Sequence, residues 1–127
     1  MLIGELSRRT QVSPRLLRYY EAQGLLEARR APNGYRHYDE ETVVTVRQVR
    51  ALLRAGLPTE AIRSVLPCAR GERPEFEWCA ELWDLLNGEL AAMDEQIGTL
   101  QRSRSTLAGY LTRDRAQAPA TPRTGGG

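Results

Sequence analysis

The sequence predicts a mainly α-helical protein in which two short helices and a small β-ribbon precede one long helix. Three observations carry that prediction. Two short amphipathic segments are joined by three residues, Asn33-Gly34 sits between short arms rich in arginine and tyrosine, and an apolar heptad runs from Cys79 to Leu111. At 127 residues the chain fits one small domain with an appendage.

Ile3 to Arg9 reads as the first helix, with Ile3 and Leu6 facing inward, and Thr10-Gln11-Val12 as a tight link. Ser13-Pro14 starts the second: serine caps, and proline suits the first helical position, where its missing N–H costs nothing. That helix runs through Arg15-Leu16-Leu17-Arg18-Tyr19-Tyr20-Glu21 and stops at Gly24, a residue suited to a left-handed C′ position. Two short helices so joined make a helix-turn-helix pattern. Arg15, Arg18 and Tyr19 share one face, whereas Leu17 and Tyr20 lie towards the other.

Asn33-Gly34, between Arg29-Arg30-Ala31 and Tyr35-Arg36-His37-Tyr38, signals a two-residue hairpin. Pro32 keeps the first arm short and at an edge, because proline cannot donate to a ladder. Asp39 caps a third helix with Glu40 and Glu41 in its first turn, where the dipole favours acids. Val43, Val46, Val49, Leu52 and Leu53 form its inward stripe; Arg47, Arg50 and Arg54 fall outside it. Gly56 ends that helix, Pro58-Thr59-Glu60 starts a fourth, and Pro67 closes it.

Residues 67–78 read as a linker rich in charge, Gly and Pro. Over 79–111, counting alternately four and three gives Cys79, Trp83, Leu86, Leu90, Met93, Ile97, Leu100, Arg104, Leu107 and Leu111. Nine of those ten are apolar if the thiol is included, which is a coiled-coil seam. At 1.5 Å per residue the helix is on the order of 48 Å long. No other segment matches that length, so the expected cover is the same helix of a second copy. Leu86, Leu90, Met93, Ile97, Leu100, Leu107 and Leu111 are the dimerisation candidates. Residues 112–127 read as a disordered tail.

Every basic residue among the 18 is arginine. Without lysine there is no phosphate-loop or Schiff-base lysine, and with His37 alone no histidine triad; no enzyme activity and no cofactor are expected. The longest uncharged stretch, Ser105 to Thr112, is far short of the roughly 20 residues that span a bilayer. Charges in the first twenty residues leave no secretory core, so a soluble cytoplasmic protein is expected. Residues 1–66 hold 11 Arg against 7 acids, and residues 67–111 hold 4 Arg against 8 acids. A basic half next to an acidic half implies that only the first meets a polyanion. Arginine's planar fork suits phosphate and guanine.

These residues resemble the MerR family of bacterial transcription regulators. Ile3-Gly4-Glu5-Leu6, Val12-Ser13-Pro14 and Leu17-Arg18-Tyr19-Tyr20-Glu21 look like its opening signature. Gly24-Leu25-Leu26, Asn33-Gly34-Tyr35-Arg36-His37-Tyr38 and Arg54-Ala55-Gly56-Leu57 followed by Ile62 continue it in order. Pro58 departs from it, standing where relatives usually place a Ser or Thr cap. The resemblance implies a winged helix-turn-helix over 1–66 and an antiparallel coiled-coil homodimer. It also implies binding to a pseudo-palindromic promoter whose DNA is distorted for RNA polymerase. The DNA-contact candidates are then Ser13, Arg15, Arg18, Tyr19, Tyr20, Tyr35, Arg36, Tyr38 and Arg54. From the length of the sequence, the separate drug-binding domain that some relatives carry is not expected.

Cys68 and Cys79 are the effector or redox candidates. Metal-sensing relatives carry a ligand cysteine at the position of Cys79, together with cysteines after the long helix that this chain lacks. Two thiols also fall short of the usual four zinc ligands, so no metal site is assigned. Inert packing thiols, a thiol redox switch and a metal sensor stand as the readings, alongside a ligand-independent architectural DNA-binding protein. Phe76, Trp78 and Trp83 are expected to pack the long helix onto the fourth helix, with a small aromatic effector pocket as the alternative reading.

Overall fold

The computed structural model describes residues 1–72, 75–117 and 119. The order is α1 (Ile3–Thr10), α2 (Pro14–Ala22), β1 (Arg29–Arg30), β2 (Arg36–His37), α3 (Glu40–Arg54), α4 (Thr59–Val65), a 3₁₀ turn (Leu66–Cys68), β3 (Ala69–Arg70), β4 (Glu75–Phe76) and α5 (Ala80–Arg113). The protein is mainly helical, as its periodicities require. No helix among the described residues is long and apolar enough to cross a membrane.

Local chemistry sets the helix ends. Ser13 Oγ accepts the Leu16 N–H at 3.2 Å and Pro14 takes the first turn of α2. Asp39 Oδ1 accepts from both the Thr42 N–H and its hydroxyl at 3.2 Å, starting α3. After α2, Gly24 (φ 77°) donates to Glu21 O and Leu25 to Tyr20 O, the paired bonds of a Schellman ending. α3 ends in the same way: Gly56 (φ 87°) donates to Leu53 O and Leu57 to Leu52 O. α4 has Pro58 as its cap residue and no side-chain cap bond.

The chain divides into two units, Met1–Leu86 and Asn87–Gly127. In the first, α1–α4 enclose a core centred on Leu6, Leu17, Val46, Val49, Ile62 and Val65. Leu82 is buried in the same cluster, and Leu85 and Leu86 pack against it. The first two turns of α5 therefore belong to this unit, although the heptad assigns them to the dimerisation segment. A bidentate Arg9–Glu40 pair at 2.6 Å ties α1 to the start of α3. Its hydrogen bonds hold the Glu40 carboxyl below the usual carboxylate range.

The region expected as a linker contains a hairpin. β3 and β4 pair antiparallel, Ala69 with Phe76 and Arg70 with Glu75. In the second unit, α5 continues unbroken to Arg113, two residues past the expected end. Leu90, Ile97, Leu100, Leu107 and Leu111 on it are between 54% and 72% exposed. A 3₁₀ turn, Arg115–Gln117, follows. Apart from Pro119, the remainder of the expected disordered tail lies outside the described residues.

Candidate nucleic-acid interface

α2 is amphipathic, and burying Leu17 on one side turns Arg15, Arg18 and Tyr19 out to solvent on the other. Ser13, which caps the helix, is also exposed. The β-ribbon supplies the second surface. Its ladder is two residues per strand, Arg29 opposite His37 and Arg30 opposite Arg36, and all four are exposed.

The ribbon's loop has three residues rather than the expected two. The Ala31 N–H donates to Tyr35 O at 2.9 Å, enclosing Pro32, Asn33 and Gly34. The Gly34 N–H closes a β-turn on Ala31 O at 2.8 Å, and Gly34 has φ 84°. Proline's fixed φ suits the first corner of such a turn, and the left-handed glycine completes the loop. Pro32 therefore lies in the turn and leaves the ladder intact. Asn33 Oδ1 accepts the Tyr35 N–H at 3.1 Å, and the Tyr35 ring is 69% exposed.

Glu21, at the inner end of α2, ties the ribbon to the helix. The Tyr38 hydroxyl donates to Glu21 Oε1 at 2.8 Å, and Arg36 Nη1 lies 3.3 Å from Glu21 Oε2. Burial, and then the bond to Glu21, push the Tyr38 phenol up to about 12. On the far side the Tyr38 N–H donates to Met1 O at 2.7 Å. Glu21 is not among the sequence-derived candidates. Its signal is the pairing of one carboxylate with a tyrosine and an arginine fifteen or more residues away, which no local pattern displays.

Two candidates are placed differently from the expectation. Tyr20 and Tyr38 are each 2% exposed and belong to the core of the first unit. Neither presents a ring or hydroxyl to solvent, so they shape the surface from beneath. Arg36 is half exposed and shared with Glu21. Arg54 is exposed at the end of α3, in a groove with Thr10, Gln11, Arg47 and Arg50.

Cys68 and Cys79 are free thiols at the two ends of the β3–β4 segment. Cys68 is half-buried against the core, and its carbonyl accepts the Glu77 N–H at 2.9 Å. Cys79 is exposed immediately before α5. Among the described residues no group of three or more His, Cys, Asp or Glu side chains is gathered as a metal site. The aromatic residues beside Cys79 stack edge to face, Phe76 on Trp78 at 5.6 Å and Trp78 on Trp83 at 5.4 Å. Only Phe76 packs against the core; Trp78 and Trp83 are more than half exposed, contrary to the expected packing role.

Comparison with known proteins agrees with this architecture. A family model described as MerR HTH family regulatory protein matches residues 1–67. The nodulation protein NolA of Bradyrhizobium elkanii is 38% identical over 105 residues, covering 80% of this chain and 43% of that protein. The chain thus spans less than half the length of the nodulation proteins it matches. The HTH-type transcriptional regulator ZntR of Escherichia coli K12 is 30% identical over 106 residues, covering 83% of this chain and 74% of the relative. Among solved structures, the transcription regulator PbrR691 from Ralstonia metallidurans CH34, in complex with lead(II), superposes with a TM-score of 0.69. It is 28% identical, and the match covers 98% of this chain and 92% of that one. With a helix-turn-helix, a ribbon clamped to it, and a family match over the residues that build both, the chain belongs to the MerR family of helix-turn-helix regulators.

Proposed function

We propose that the chain acts as a homodimeric, sequence-specific DNA-binding regulator of transcription at a pseudo-palindromic promoter. The observation that carries this is the joint presentation of Arg15, Arg18 and Tyr19 on α2 with Tyr35 and Arg36 on a ribbon that Glu21 fastens to the same helix. Arginine forks can read guanine edges or grip phosphate, and tyrosine hydroxyls donate to phosphate. Ser13 and Arg54 complete the exposed contact set, while Tyr20 and Tyr38 hold its two halves in register.

The exposed stripe from Leu90 to Leu111, with Leu86 and Met93 beside it, supports an antiparallel pairing of α5 with a second copy. Such a dimer carries two reading heads, and gripping two half-sites at once can distort the DNA between them. Bending or untwisting a site costs on the order of a few kcal/mol, within reach of contacts from several arginines and tyrosines. RNA polymerase is the partner that would use the distorted promoter. The test selects operator duplexes from a random pool and then measures affinity. Arg15→Ala with Arg18→Ala is expected to weaken binding by ~2–6 kcal/mol, at ~1–3 per lost base contact. Operator affinity equal to wild type would sink this assignment of the reading residues.

A second reading adds effector gating near Cys68 and Cys79, and the exposure of Cys79 at the start of α5 favours it. PbrR691 was solved with lead(II), which makes a thiophilic metal one candidate effector alongside oxidants. The expected outcome for Cys79→Ser is loss of the transcriptional response to thiophilic metals or oxidants with operator affinity retained. An unaltered response leaves a ligand-independent architectural role.

A further inference from the structure

Of the arginines on the outward face of α3, only Arg54 belongs to the contact set proposed above; Arg47 and Arg50 are not accounted for. Arg47, Arg50 and Arg54 recur at three- and four-residue spacing and so share one side of that helix. With Thr10, Gln11 and Glu72 they line a groove of about 480 Å³. Glu72 is the one carboxylate in that lining, and it is engaged with Arg47. Arg47 Nη2 also donates to Arg9 O at 3.1 Å. Among the described residues Arg50 and Arg54 form no ion pair, although Arg50 is half-buried. Three guanidinium groups therefore line the groove with one acid.

Glu72 reaches the groove because the β3–β4 hairpin docks on α3. Gly71 takes φ 75° at the turn, and its carbonyl accepts from Gln48 Nε2 at 3.0 Å. Gln48 is itself buried, one residue from Arg47. The hairpin is thus anchored at successive residues of α3, and its carboxylate occupies the arginine fork that a phosphate would use.

The opposite wall of the groove, Thr10-Gln11, is the turn of the helix-turn-helix. Two residues, Val12 and Ser13, separate Gln11 from the start of α2 at Pro14, and the three Cα-to-Cα steps reach at most about 11 Å. A duplex read by α2 carries about three phosphates of one strand in that distance, at roughly 3.4 Å of axis per phosphate. We propose that Arg47 and Arg50 extend the Arg54 contact into a sequence-independent phosphate-binding surface for the duplex, and that Glu72 is its intramolecular plug. Removing the Glu72 carboxylate then strengthens the grip on DNA by freeing Arg47. This rests on the DNA-binding reading above and adds a regulated contact to it.

The test uses the full chain and a fluorescent duplex of random sequence, titrated by anisotropy across a salt series. Each phosphate contact contributes about 0.9 to the slope of log affinity against log salt, which corresponds to about eightfold in affinity near 0.1 M salt. Arg50→Gln is expected to bind about eightfold more weakly with a slope shallower by about 0.9. Glu72→Gln is expected to bind more tightly than wild type, and Arg47→Gln is expected to erase that gain. Should Arg50→Gln compromise folding, Arg54→Gln and Glu72→Gln at exposed positions carry the same comparison. Wild-type slopes in Arg50→Gln and Arg54→Gln would overturn the proposal. A change in transcription with the slope unaltered would also overturn it, assigning the groove to an acidic protein partner. Failure of the wild-type chain to bind any duplex would instead refute the DNA-binding reading itself, and this proposal with it.

Discussion

Two buried tyrosines, Tyr20 and Tyr38, show how much a single hydroxyl partner decides. Tyr38 donates to Glu21, whereas the Tyr20 hydroxyl is buried and meets no partner among the described residues. Replacing Tyr38 by Phe removes a hydrogen bond to a charged group, with an expected loss of about 1.5–3 kcal/mol in urea unfolding at neutral pH. Tyr20→Phe is expected to be neutral or stabilising by about 1 kcal/mol, because it deletes an unpaired buried group. The pH dependence separates them further. The Tyr38 phenol is raised in the folded state to about 12 from an ordinary value near 10. Its contribution is therefore fully present below about pH 10 and is lost as pH rises through about 12. Melting temperatures of wild type are expected to fall over that window, and those of Tyr38→Phe to fall less. Tyr20 also shows where sequence reasoning divides: helix periodicity turns it inward beside Leu17, while the family resemblance makes it a DNA contact. Burial at 2% exposure agrees with the periodicity.

Elements form where short-range chemistry is strong. α2 and α3 were legible to within two residues because each has a side-chain cap at one end and a left-handed glycine at the other. The ribbon was legible in place but not in loop length, since Asn33-Gly34 marks the turn while the role of Pro32 depends on the whole loop. β3 and β4 were missed altogether. Two residues per strand carry no periodicity, and their stability comes from docking on α3 through Gln48 and Arg47. At the other extreme, α5 runs for 34 residues with its heptad unbroken except at Arg104. For Leu90→Arg combined with Ile97→Arg, the expected outcome in sedimentation equilibrium is a monomer. A dimer of wild-type affinity would remove the seam from the proposed interface.

At the scale of the molecule, the split of charge into a basic half and an acidic half acquires a structural meaning. Eight of the eleven arginines in the first 66 residues lie on two surfaces, α2 with its ribbon and the outer face of α3, while Glu72 from the acidic half reaches back to the second. By itself the sequence determined the helices, their caps, the heptad and the exposed arginines of α2. Those features depend on residues within about four positions of one another, so their physics is written locally. Tertiary structure alone decided that Tyr38 is core, that Glu21 joins ribbon to helix, and that a hairpin rests on α3. Each rests on a pairing between residues 15 to 25 positions apart, set by how the helices pack around Leu6, Val46 and Ile62. No local period records which distant side chain arrives at a given carboxylate; only the closed core brings the two together.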